Sequence, residues 1–209
     1  MDEQRHKRLR FLVRRLNKER KKQAQKIDIL CNDLIAAQRN FIKRLSTISF
    51  IASFCESIVG ATDQNNLLYT AVRIIKAETA GASVIFFLKN GDDPSAGLRA
   101  AAVENAKFPT AGGVEACFGP ELIDGICKSN KVCTLEDMFA MGLQGNLVGL
   151  NKISAVTIPL GLSGSSLGFI LLYRSSQNKF TLEEIEKISA ITYGLCRAIA
   201  SCRTLSGAA

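Results

Sequence analysis

The chain has 209 residues with 27 Lys and Arg, 19 Asp and Glu, one His, seven Cys, no Trp and a formal net charge of +8. At 47% hydrophobic residues it can bury a core, which excludes a wholly disordered chain. No apolar run approaches the roughly 20 residues of a membrane-spanning helix; the best stretch, Ile48–Val59, is short and carries Glu56. The basic start runs on into more charge, unlike a secretory signal. A soluble, cytoplasmic protein is expected.

The first 48 residues hold 14 Lys and Arg against 5 Asp and Glu, so this segment carries +9 and the remainder −1. A 3-4 spacing from Leu9 gives Leu9, Val13, Leu16, Arg20, Gln23, Ile27, Leu30, Leu34, Ala37, Phe41, Arg44, Ile48, Ile51, Cys55 and Ile58. Twelve of these fifteen positions are apolar, and no Gly or Pro interrupts them before Gly60. A period of 3.5 residues keeps one seam turned to a partner helix. The pattern predicts a basic coiled-coil helix over 1–58 that pairs the chain as a homodimer, running into a domain over 41–205.

Eleven Lys and Arg fall between Arg5 and Lys26. They form either a solvated helix face or a surface attracted to nucleic acid or to acidic lipid headgroups. A basic-region zipper would keep its charge ahead of the heptads, whereas Leu9, Val13 and Leu16 run through the charge here.

Downstream, Asn65–Ala80 has a helical stripe entered through Asp63 and closed by Gly81. Ser83–Leu88 reads as a strand, Asn90–Pro94 as a turn and Leu98–Val103 as the partner strand. In the irregular middle, Glu104–Lys152, Pro120–Ser129 reads as a helix, Lys131–Leu135 as a short strand, and Asp137–Asn151 as a loop with a helical turn. Ser154–Leu160 and Ser166–Tyr173 flank a Gly/Ser turn and form a second hairpin. Thr181, with Glu184 three residues on, caps a helix to about Arg203.

This order predicts an α+β fold, an antiparallel sheet with the terminal helices on one face. The middle segment is left to cover the other face, where a small-molecule pocket would form. Phe86, Phe108, Phe118, Asp137, Met138, Met141, Gln144 and Asn146 are its candidate lining. The aromatic pair Phe108 and Phe118 and the pair Met138 and Met141 either line that pocket or plug it.

The cysteines stand at 31, 55, 117, 127, 133, 196 and 202, with no CxxC pair, so a disulfide framework is not expected. No metal site is expected, since His6 is the sole histidine and the cysteines lack zinc-knuckle spacing. Cys117, just before the helix at Pro120, Cys127, followed by Lys128, and Cys133 are candidate redox thiols. The alternative is that Cys127 and Cys133 pack as small apolar residues. Gly112-Gly113 lacks the Lys-Ser/Thr of a phosphate loop, and no His-containing triad is present.

The stretch Ser154–Ala200 resembles the C-terminal half of a GAF domain: a strand ending in Pro, here Pro159, then a turn, Leu167-Gly168, Phe180-Thr181 and a final helix. Upstream, Leu122–Met138 is similar to that family's short helix followed by a strand ending at an acidic residue, here Asp137. The resemblance covers roughly 41–205. It implies a six-stranded antiparallel sheet flanked by helices, often dimeric, in a regulatory sensor module. Bilin and haem attachment in the family relies on His, and the domain has none. The family's cyclic-nucleotide residues are dispersed; Asn178-Lys179-Phe180 only happens to resemble them. The family's methionine sulfoxide reductases place a Cys in the loop shortly before the Pro-ending strand, and 143–154 contains none.

The function expected is a non-catalytic sensory or regulatory module. It would bind an unidentified small molecule, or sense redox state, and relay this through dimeric helices to a signalling partner protein. Two alternatives are a dimeric scaffold whose basic helix holds a partner, nucleic acid or acidic lipid, and a thiol-based reductase.

Overall fold

The structure, a computed structural model, describes residues 2–89, 99–103, 114–145, 147–162 and 165–207. Phe108, Asn146 and the turn Asn90–Pro94 lie outside the described residues. The chain divides into two compact units, Met1–Ile48 and Ser49–Ala209. The helix α1 covers Asp2–Ile58. Its sequence lacks helix breakers until Gly60, whose φ of +80° suits the left-handed stop that glycine adopts without strain. Over the first unit its large apolar side chains, from Leu9 to Ile48, are exposed.

In the second unit, α2 spans Gln64–Glu78, and Asp63 caps it by accepting from the Asn66 N–H at 2.9 Å. The strands are β1 Ser83–Leu88, β2 Arg99–Val103, β3 Cys133–Thr134, β4 Ile153–Leu162 and β5 Ser165–Ser175. Among the described residues the antiparallel sheet therefore has five strands, in the order β2-β1-β5-β4-β3, rather than the six the resemblance implies. Pro159 is tolerated within β4 because, among the described residues, β3 pairs only with Val156 and Thr157, leaving that edge without a ladder bond at Pro159.

Between the strands lie a 3-10 turn at Val114–Cys117 and three helices, α3 Pro120–Ser129, α4 Leu135–Ala140 and α5 Leu147–Leu150. The last helix, α6, runs Leu182–Gly207. The strand expected over Lys131–Leu135 is reduced to two residues because a helix starts at Leu135. Thr134 and Asp137 form a capping box there: Asp137 Oδ2 accepts from the Thr134 N–H at 2.7 Å and Thr134 Oγ1 accepts from the Asp137 N–H at 3.4 Å.

Strand alternation divides the interior into two cores. Val84, Phe86 and Leu88 of β1, Val156, Ile158 and Leu160 of β4, and Ile170 and Leu172 of β5 share one core with Phe54 and Ile58 of α1 and with α2 and α6. Ile85 and Phe87, Ile153 and Ala155, and Phe169, Leu171 and Tyr173 face the other, under α3, α4 and α5. Each fully buried Leu, Ile or Phe stabilises by roughly 1.5–3 kcal/mol, and both cores are built of such residues.

Candidate functional site

The face beneath α3, α4 and α5 is where the sequence places a pocket. Phe118 joins Phe87 and Phe169 in an aromatic cluster, with ring centroids 5.4 Å and 6.1 Å from Phe118 and 4.7 Å between Phe87 and Phe169. Met138 is fully buried among them, and Met141 packs against their margin. Among the described residues, these side chains fill the space over the sheet as a core.

Phe118, Met138 and Met141 thus share one core, but among the described residues the rest of the candidate lining does not join them. Phe86 points into the opposite core, because it is one residue out of step with Phe87, and a strand turns successive side chains to opposite faces. Asp137 is exposed and spends its carboxylate on capping α4. The Thr134 backbone N–H, and then its hydroxyl, hold that carboxyl below the ordinary range. Gln144 is exposed.

Among the redox candidates, Cys127 and Cys133 are buried and Cys117 is half-buried, all on the same core. Cys133 Sγ lies 3.4 Å from the Lys131 carbonyl, to which it donates. Burial raises the Cys127 thiol above its usual value, and the Ser166 hydroxyl and the Lys89 charge only partly offset this.

A cavity lies at the end of α3, against the β4–β5 hairpin. It measures about 390 Å³ and is lined by Lys89, Asp124, Cys127, Lys128, Asn130, Gly161, Ser165 and Ser166. Lys128 and Asp124 pair across one turn of α3 at 2.6 Å, which raises the Lys128 pKa. Asn130 ends α3 in the left-handed conformation with φ +46°, which an Asn side chain tolerates well. Ser166 Oγ is buried and, among the described residues, makes no hydrogen bond within ordinary limits, yet it stands close enough to Cys127 to favour the thiolate. The set offers donors from Lys89, Asn130 and serine hydroxyls, and a single carboxylate. That chemistry suits a small polar molecule held by hydrogen bonds. Among the described residues, no group of three His, Cys, Asp or Glu converges.

Apart from Asp124, Cys127 and Lys128 within α3, these residues read from the sequence only as punctuation. Gly161, Ser165 and Ser166 mark a hairpin turn, Asn130 a helix end and Lys89 a strand end. Nothing in their spacing signals that the turn and the helix end meet across more than thirty residues of chain.

No family model matches the sequence, and no curated protein matches it. Among solved structures it is similar to the GAF domain of a phosphoenolpyruvate-protein phosphotransferase from Coxiella burnetii, at 17% identity and a TM-score of 0.58, over 79% of this chain and 98% of that one. A GAF domain of the same kind of protein from Acinetobacter matches at 11% identity and a TM-score of 0.57, over 78% and 98%. The GAF domain of a putative sensor histidine kinase from Pseudomonas syringae pv. tomato matches at 12% identity and a TM-score of 0.54, over 83% and 99%. Likeness at these identities speaks for fold alone. The chain has a GAF-like fold, with a long helix at its N-terminal end.

Proposed function

We propose that the chain is a non-catalytic sensory or regulatory module. It holds a small polar molecule in the cavity beside Lys89 and Asn130 and relays this through paired α1 helices to a signalling partner protein. The observation that carries the reading is the division of the sheet. Phe169, Leu171 and Tyr173 serve the core under α3, while Ile170 and Leu172 of the same strand serve the core holding Phe54, Ile58 and α6. A shift of β5 on one side therefore moves contacts on the other, since packed interiors do not deform independently.

Neighbours in fold that come from a sensor histidine kinase and a methyl-accepting chemotaxis protein support a signalling role. The odd number of cysteines fits a reducing compartment, so the cytoplasm is the proposed setting. In addition, no described helix is long and apolar enough to cross a membrane.

Native mass spectrometry of the purified, unreduced full chain tests the proposal. A dimer carrying a discrete extra mass that Lys89→Ala and Asn130→Ala both remove supports it. A monomer removes the helix pairing, and an extra mass unaffected by either substitution removes the cavity.

The packed aromatic cluster favours a second reading, a scaffold that binds no small molecule. Under it, the dimer carries no added mass and partner binding is unchanged by Lys89→Ala.

A further inference from the structure

The first five turns of α1 carry an apolar stripe that overlaps the heptad seam and adds Leu12 to it. Leu9, Leu12, Val13 and Leu16 stand at i, i+3, i+4 and i+7, which puts all four on one face of the helix. All four are more than half exposed. Arg8 and Arg10 flank Leu9 in sequence, so each lies about 100° around the helix from it, in opposite directions. A guanidinium therefore borders the apolar stripe on both sides. From Arg5 to Lys26 eleven cationic side chains stand against one carboxylate, Glu19, which pairs with Lys22 at 3.6 Å.

In the proposed pairing of α1, this is also the weakest stretch. Arg20 and Gln23 interrupt the seam, and two such basic segments side by side would repel within the Debye length of about 8 Å. The seam runs uninterrupted from Ile27 to Phe41, so the stripe before it is the part of α1 that helix pairing would hold least firmly.

We propose that Arg5–Lys22 docks on an acidic lipid surface. Leu9, Leu12, Val13 and Leu16 enter the headgroup–acyl boundary, while Arg8 and Arg10 extend along it to the anionic headgroups. The apolar stripe is what selects lipid over nucleic acid. Duplex binding uses the cations equally well but leaves four exposed apolar side chains with nothing apolar to meet. The docking is peripheral and is independent of the cavity.

The protein has no tryptophan, so Leu12→Trp supplies a unique fluorophore on the stripe but off the heptad seam. In the full chain, the introduced indole should shift its emission to the blue with phosphatidylcholine–phosphatidylserine vesicles. It should not shift with phosphatidylcholine alone or with duplex DNA. Arg8→Gln with Arg10→Gln should lower vesicle partitioning, read by co-sedimentation, by about thirtyfold. Equal partitioning on zwitterionic vesicles, or anionic binding without a blue shift, overturns the insertion. Duplex binding in the absence of vesicle binding overturns the lipid assignment in favour of nucleic acid.

Discussion

Arg174 grips Glu184 through a two-pronged contact, Nη1 to Oε1 and Nη2 to Oε2, both at 2.8 Å. The same guanidinium donates to the carbonyls of Asn178 at 2.7 Å, Thr79 at 2.8 Å and Lys179 at 2.9 Å, and lies 4.3 Å from the centroid of the Phe180 ring. One side chain thus fastens β5, the end of α2, the turn after β5 and the start of α6. Arg174→Met removes every one of these bonds and leaves a largely buried Glu184 without its cation. We expect a loss on the order of 3–5 kcal/mol in urea denaturation. Arg174→Lys should recover only part of it, because an ammonium cannot span both carboxylate oxygens. A loss below about 1 kcal/mol in Arg174→Met would rank the contact with ordinary surface pairs.

The same contact predicts a pH dependence. Burial acts to raise the Glu184 pKa, but the Arg174 hydrogen bonds, those of Thr181 and the Arg174 charge together bring it below the ordinary value of 4.5. A carboxyl whose folded pKa is depressed contributes stability that is present above the unfolded value and is lost as pH falls through the folded one. Denaturation midpoints should therefore be flat from neutral pH down to about 4.5 on account of this group, and decline below it. The decline should be shallower in Glu184→Gln, and an equal slope in both proteins would assign the acid sensitivity elsewhere.

Gly168 holds the central strand pair together. It sits at φ +144° opposite Leu88, and a Cβ placed on it would stand 1.9 Å from the Phe87 carbonyl oxygen. Backbone cannot yield as a side-chain tip can, so Gly168→Ala must part β1 from β5 locally. A cost on the order of 3 kcal/mol or more is expected, with lowered expression as the practical sign. Gly125→Ala is the control, since its new methyl group would meet only Met141 Sδ at an ordinary 3.7 Å.

Phe118 separates a plugged face from an open one. Its ring is buried between Phe87 and Phe169, so Phe118→Ala should cost about 3–5 kcal/mol. A ring that merely lined an empty pocket would be removed at much smaller cost. The change in urea midpoint at constant slope decides between them.

The parts of the fold legible in the sequence are those set by local chemistry. Asp63 and Thr181 announce their helices because a cap acts within three residues, and both caps form. β1, β4 and β5 are visible because β-rich runs are bounded by turn residues. The α4 helix was not legible: Thr134 to Asp137 is a capping box with Asp in place of the usual Glu, and Leu135–Ala140 is too short to show a period. The site was harder still. Phe86 and Phe87 are chemically identical, and only the strand's register against β5 decides which of them faces α3. The cavity joins Lys89, Asn130 and Ser166 from three places in the chain, a juxtaposition that no local pattern encodes.

Thiol labelling offers a direct test of the buried cysteines. Cys31 is exposed on α1, whereas Cys127, Cys133, Cys196 and Cys202 are buried. Burial pushes the Cys196 thiol up to about 11, so at about pH 8 it is ionised on the order of one part in a thousand. Burial, with the charge of Asp63, also raises Cys202, whose Sγ donates to the Ala61 carbonyl at 3.3 Å. Iodoacetamide followed by peptide mass spectrometry should therefore modify Cys31 first and Cys196 last. Urea should bring the buried thiols into reaction together at the unfolding midpoint. Cys127 decides the redox reading, because it combines a cavity wall with neighbours that favour its thiolate, Ser166 and Lys89, against the larger opposing effect of burial. Protection of Cys127 in the native protein, matched by unchanged reactivity in Lys89→Ala, would make it a packing residue. Labelling as fast as Cys31, slowed several-fold by Lys89→Ala, would instead make it a reactive thiol, since the lysine is the cation that favours its ionised form.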